Sequence, residues 1–210
     1  VSQNVQLSQQ VAFLTQTIET LAKKAKLQRT PELCISKTER LANVNVFQNR
    51  ISVGEHLLGL WAEGIFNETD IEATVAHEIG HLMDFRRDSK SSNFRNLIAE
   101  SLLISFGIVP LVIYLLSPLF STLVIAVLLA LGWGVSLPLV MRRVEVRIEF
   151  EADRNAALYL VEPKQLADAL MKISSFGMPD SRGLASRVSF WAGTRLHPSF
   201  NERVRFLQSL

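Results

Sequence analysis

Apolar side chains at Val11, Leu14, Ile18, Leu21 and Ala25 fall three or four residues apart, so they share one face of a helix running from about residue 7 to 26. Glutamines dominate the opposite side, which marks the stripe as a packing face rather than a membrane anchor. Thr30 and Pro31 end the helix. Runs of strand-forming residues follow at 32–36, 43–47 and 50–53, the last two separated by polar Gln48 and Asn49. They predict a small sheet. A short helix is expected over 55–62, and a longer one after it with Thr69 as N-cap, Glu72 completing a capping box, and Ile71, Val75, Ile79 and Leu82 on its buried face. Further helices are expected at about 144–161, 163–175 and 198–210, with a Gly- and Ser-containing connection over 177–194. The fold class is therefore mainly α with a small β-sheet, an α+β fold.

The middle of the chain departs from this alternation. Residues 97–117 and 119–141 are almost uncharged and rich in Leu, Ile and Val, with Glu100 near the start of the first run. Each run is long enough to cross a bilayer core of about 30 Å as a helix. Ser117 and Pro118 mark the turn between them. A buried hairpin within a large soluble protein is the alternative, but a chain of 210 residues offers no obvious second layer to cover it. Arg86, Arg87, Lys90 and Arg95 precede the hairpin and Arg142, Arg143 and Arg147 follow it, which by the positive-inside rule puts both ends on the cytoplasmic side. The expected organisation is a discontinuous domain of residues 1–96 and 141–210, interrupted by a transmembrane hairpin over 97–140. A bacterial-type plasma membrane is the expected location.

Composition agrees. The apolar fraction of 48% and the mean hydropathy of +0.21 come largely from the two central runs. A net charge of +2 is too small to argue for nucleic acid. The single cysteine, Cys34, excludes an intrachain disulfide, fits a reducing compartment, and reads as a packing residue of an apolar strand. With neither a signal peptide nor an initiator Met, Val1 reads as a processed or truncated start.

Candidate chemistry sits in His77-Glu78-Ile79-Gly80-His81. Two imidazoles four residues apart lie one turn apart on one helix face and can bind the same zinc, while Glu78 can take the proton of a water at the open position. Structural zinc needs four protein ligands, yet only Cys34, His56 and His197 add soft or imidazole donors, none at finger-like spacing. A three-ligand site with one zinc per chain fits better. Glu149 is the favoured third ligand, and Asp153, one helical turn on, is placed to accept the free ring proton of a ligating histidine, His77 being the first candidate. The alternative for these acids is a solvated charged face paired with Arg142, Arg143, Arg147 and Arg154. A hairpin returns the chain to the side it left, so topology lets His77, His81 and Glu149 meet. The acidic residues of the metal helix argue against an active site inside the bilayer core.

Taken together, the strand Arg50-Ile51-Ser52-Val53-Gly54, the His77–His81 motif, a transmembrane hairpin, Glu149-Phe150-Glu151-Ala152-Asp153, and His197-Pro198-Ser199 followed by Arg203 resemble one family. It is that of the HtpX-like and CAAX-prenyl-protease-type membrane zinc metallopeptidases, gluzincins with two histidines and a downstream glutamate on the metal. The resemblance implies a zincin-like domain in which His77, His81 and Glu149 ligate zinc, Glu78 is the base and Asp153 supports the ligands. His197 and Arg203 match the family's C-terminal motif and are implied either to stabilise the oxyanion or to hold the site together; a helix-capping role for His197 before Pro198 is the alternative. The large chamber of CAAX prenyl proteases needs more helices than 210 residues supply. The resemblance therefore points to cleavage of membrane or misfolded polypeptides. A membrane-anchored scaffold or regulator with a vestigial site is the competing reading, disfavoured by Glu78, because a structural zinc has no use for a base.

Overall fold

The computed structural model describes residues 2–87, 111, 127, 143–176 and 198–210. In chain order these form helix α1 (Ser2–Lys24), strands β1 (Glu32–Ser36), β2 (Ala42–Asn45) and β3 (Arg50–Gly54), and helices α2 (Glu55–Ala62), α3 (Glu68–Arg87), α4 (143–159), α5 (Pro163–Ser175) and α6 (Phe200–Gln208). The architecture is mainly helical with one small sheet. Val1–Arg87, Arg147–Asp180 and Pro198–Leu210 make one compact unit, while Asp88–Val146 and Ser181–His197 group as another. The site described below lies within the first.

Strand β3 is central, parallel to β1 and antiparallel to β2. The β2–β3 register pairs Ala42 with Val53 and Val44 with Ile51. Just beyond the strand ends, Gly54 N–H donates to Leu41 C=O at 2.6 Å. Because bonded and non-bonded pairs alternate in an antiparallel ladder, Asn43 and Asn45 bond β3, whereas Ala42 and Val44 turn their N–H and C=O to the free edge of β2.

The predicted apolar faces meet in one core. Leu14, Ile18 and Leu21 of α1, Ile71, Val75 and Ile79 of α3, and Ile51 and Val53 of the sheet are buried in it, and Leu82 of α3 is buried as well. Burying each such side chain contributes about 1.5–3 kcal/mol. That core fixes which face α3 turns toward the opposite side, where the histidines stand. The polar side of α1 is not wholly solvent: Gln10 is buried and its amide donates to Leu58 C=O at 3.0 Å.

Helix ends correct the sequence reading in two places. Thr69 lies inside α3 and is not its cap. Asn67 Oδ1 accepts from Asp70 N–H and Asp70 Oδ2 accepts from Asn67 N–H, a reciprocal box two residues earlier. At α6 the cap is Ser199, boxed with Glu202, and the helix begins at Phe200 rather than Pro198. The second strand runs over 42–45 instead of 43–47, because the chain turns after Asn45, whose Oδ1 accepts from Gln48 N–H, and Asn49 takes the left-handed conformation at φ 50°. The hairpin expected over 97–140, the connection over 177–194 and His197 lie outside the described residues, apart from Leu111 and Val127, which are helical. Among the described residues no helix is long and apolar enough to cross a membrane.

Candidate metal centre

Helix α3 presents His77 and His81 one turn apart, and α4 crosses it so that Glu149 faces both. His77 Nε2 and His81 Nε2 are 3.1 Å apart, Glu149 Oε2 is 3.4 Å from His77 Nε2, and Oε1 is 3.7 Å from His81 Nε2. Bonds of 2.0–2.1 Å to a tetrahedral ion place donor atoms roughly 3.3 Å apart, so these separations are those of three ligands around one cation. All three side chains are nearly buried, at 12%, 15% and 13% exposure. Two ring nitrogens facing each other in this way satisfy one another only by sharing a proton, and a cation satisfies both lone pairs at once. Among the described residues three carboxylates, Glu78, Glu149 and Asp153, lie in the pocket with one guanidinium, Arg203, which pairs with Glu149 and Asp153. The donor set therefore fits a divalent metal.

Asp153 is wholly buried. Its Oδ1 lies 2.9 Å from His77 Nδ1, the nitrogen that faces away from Glu149. Arg203, one turn into α6, donates from Nε to Asp153 Oδ2 at 2.7 Å and from one terminal nitrogen to Oδ1 at 2.6 Å, while its other terminal nitrogen lies 3.1 Å from Glu149 Oε2. Its close approach to the His77 ring, 3.1 Å from Nδ1, brings a guanidinium that only donates against a nitrogen already donating to Asp153. It is the shared acceptor Oδ1 that draws the two together. With Nδ1–H committed to Asp153, Nε2 of His77 is the nitrogen left for a metal, once it gives up its own proton.

Burial and the Arg203 charge push the His77 pKa down, but the bond to Asp153, the Asp153 charge and the bond to Glu149 prevail and hold it at about 9. Burial, then the neighbouring His77 charge, hold His81 at about 3. The histidine pair thus carries one proton beyond its neutral complement, and it resides on His77. Burial opposes ionisation of Asp153, yet the charge and hydrogen bonds of Arg203 lower its pKa below the ordinary carboxylate value. Glu78 is buried, and burial with the Glu149 charge raises it to about 7 against the pull of His77 and Arg203 and a hydrogen bond from the Val44 backbone. A base near neutral pKa suits proton transfer. Val44 N–H is one of the groups that β2 turns to its free edge, so Glu78 marks where that edge meets the metal helix.

Of the residues singled out in the sequence, His77, Glu78, His81, Glu149, Asp153 and Arg203 converge here, and His197 lies outside the described residues. Glu149 is not left on a solvated face: it reaches both histidines and Arg203. Sequence reasoning missed Val44, which depends on strand register, and Asn155, whose amide donates to Gly80 C=O at 3.4 Å. A buried Asn on the acidic helix, two residues past Asp153, was the available signal for the latter.

No curated protein matches the sequence. It does match peptidase family M48, over residues 8–210. His77, His81 and Glu149 form the group of described residues able to hold a metal ion. With nearly the whole chain matched, this protein belongs to peptidase family M48, the metallopeptidases of HtpX-like and CAAX-prenyl-protease type.

Proposed function

We propose that the chain is a membrane-anchored zinc endopeptidase of the HtpX-like kind, cleaving membrane or misfolded polypeptides on the cytoplasmic side. The observation that carries the reading is Glu78, a buried carboxylate with a pKa near neutrality beside three convergent donors. His77, His81 and Glu149 hold the zinc, which when bound supplies a Lewis acid for acidifying water and polarising a peptide carbonyl. Glu78 accepts the water proton and returns it to the leaving amine. Asp153 fixes the His77 tautomer. Arg203 engages Asp153 and Glu149 through all three of its nitrogens, which supports holding the site together over stabilising an oxyanion. The free edge of β2 offers Ala42 N–H and C=O and Val44 C=O to an extended substrate, adding a strand whose scissile bond runs past Glu78. In this reading residues 97–140 form a transmembrane hairpin that holds the first unit at the membrane surface. The test is metal analysis of purified protein together with proteolysis by wild type and Glu78→Gln. About one zinc per chain and loss of cleavage in the variant are expected; absence of zinc after mild purification and reloading, or near-normal turnover by the variant, overturns it.

A further inference from the structure

Gly80 stands between the two histidines and has no side chain to offer, yet it lies where the backbone of α4 comes close against α3. A Cβ at this position would lie 2.3 Å from Ala152 O, 3.0 Å from Ala152 C and 3.1 Å from Ala152 Cα. The clash is with backbone, so no side-chain rotation relieves it. Asn155, buried on α4, donates its amide to Gly80 C=O at 3.4 Å, a second bond to a carbonyl that already serves the helix ladder. These two contacts bracket Asp153. Glu149 precedes Ala152 by three residues on the same helix.

We infer that Gly80, latched by Asn155, is a positioning residue: it sets how closely α4 approaches α3, and so how closely Glu149 approaches His77 and His81. The inference rests on the metal reading proposed above. Magnitudes decide that the contact reaches the site. Relieving a 2.3 Å contact requires α4 to retreat by roughly an ångström toward ordinary van der Waals distance. Metal–ligand bonds tolerate about 0.2 Å. Glu149 cannot simply extend to compensate, because Arg203 holds its Oε2 at 3.1 Å.

The test is chelator-competition titration of the metal-free full-length chain with Zn²⁺ and with the larger Cd²⁺. Gly80→Ala is expected to weaken zinc binding about 10- to 100-fold, the range seen when support of a metal ligand is lost. Cadmium should lose several-fold less, because a widened site suits a larger ion. Asn155→Ala, which removes the latch without a clash, should weaken zinc a few-fold in the same sense. Gly59→Ala is the control: this helical glycine has nothing within 4 Å of its would-be Cβ and should leave both affinities unchanged. Zinc binding by Gly80→Ala within twofold of wild type overturns the inference, and so does equal weakening of both ions, the mark of general loosening. If Gly80→Ala does not fold, Asn155→Ala decides alone, and unchanged zinc affinity there overturns it. Wild type that takes up neither ion overturns the metal reading itself, a different result from wild type and Gly80→Ala binding alike.

Discussion

Helix α3 carries two clusters of buried polar side chains, one at its start and one at its middle, and they differ in how their charges are matched. At the start, Asp70 receives Asn67 N–H and the Lys172 ammonium, which also lies 5.7 Å from the centre of the Phe66 ring; Gln165 donates to Thr69 C=O and to Glu72. Each carboxylate there faces donors, in the field of a helix N-terminus that favours negative charge. At the middle, among the described residues, Arg203 pairs with both Glu149 and Asp153, Glu78 lies in the same pocket, and two imidazole nitrogens face each other at 3.1 Å. The first arrangement is complete as it stands and serves to fasten α5 to α3. The second has donors to spare for a cation, and that mismatch is what distinguishes a site from a fastening.

The comparison is sharpest where the two clusters are broken one residue at a time. Glu78→Gln keeps shape and ligands but removes the base, so kcat for peptide hydrolysis should fall on the order of a hundredfold or more, about 2.7 kcal/mol of barrier, with zinc content unchanged. A steady-state assay beside metal analysis checks both. Glu149→Ala should lose most of its zinc. If it keeps full zinc while Glu145→Ala or Glu151→Ala loses it, the third ligand is another acid.

Asp153→Ala comes next in size. It strands the Arg203 guanidinium and the His77 ring N–H in a buried place, and breaking a buried pair typically costs about 3–5 kcal/mol. Arg203 keeps Glu149, so the lower end is expected, accompanied by a 10- to 100-fold loss of zinc affinity. Denaturant midpoints and zinc competition measure the two effects separately.

The proton on the histidine pair gives a pH test. His77, held at about 9, is protonated at pH 8, whereas His81, held at about 3, and Glu78, at about 7, have largely released theirs. Zinc binding at pH 8 should therefore release close to one proton per chain, and apparent affinity should climb about tenfold per pH unit up to about pH 9 and then level off. Calorimetry in buffers of different ionisation enthalpy counts the protons. Two ordinary histidines would release almost none at that pH, and such a result would show that Asp153 does not hold a proton on His77.

How much of this was legible in the chain follows from which interactions are local. The faces of α1 and α3 were readable because helical periodicity alone decides which residues share a side, and the spacing of His77 and His81, like that of Glu149 and Asp153, is a property of one helix. The cap of α3 was misplaced by two residues because Asn67 and Asp70 form the same box as the one imagined at Thr69 and Glu72, and only the backbone distinguishes them. What joins two elements was not legible. Val44 reaches Glu78 through strand register, Arg203 reaches Asp153 across fifty residues, and the close crossing at Gly80 exists only once α4 is laid against α3.

The smallest effect belongs to the matched cluster, and it tests whether the two are independent. Lys172→Met removes the ammonium from Asp70 but leaves the carboxylate its bond from Asn67 N–H and its place at the start of α3. Lys172 is one-third exposed, so solvent already screens the pair, and a loss of about 1–2 kcal/mol is expected, less than for Asp153→Ala. Thermal melts of the metal-free protein should show it as a drop of a few degrees. Zinc affinity and kcat should not move, because the core face of α3, from Ile71 to Leu82, holds the histidines whether or not α5 is fastened at its start. A tenfold fall in zinc affinity in Lys172→Met would mean instead that the start of α3 sets the position of its middle, and the separation between fastening and site would fail.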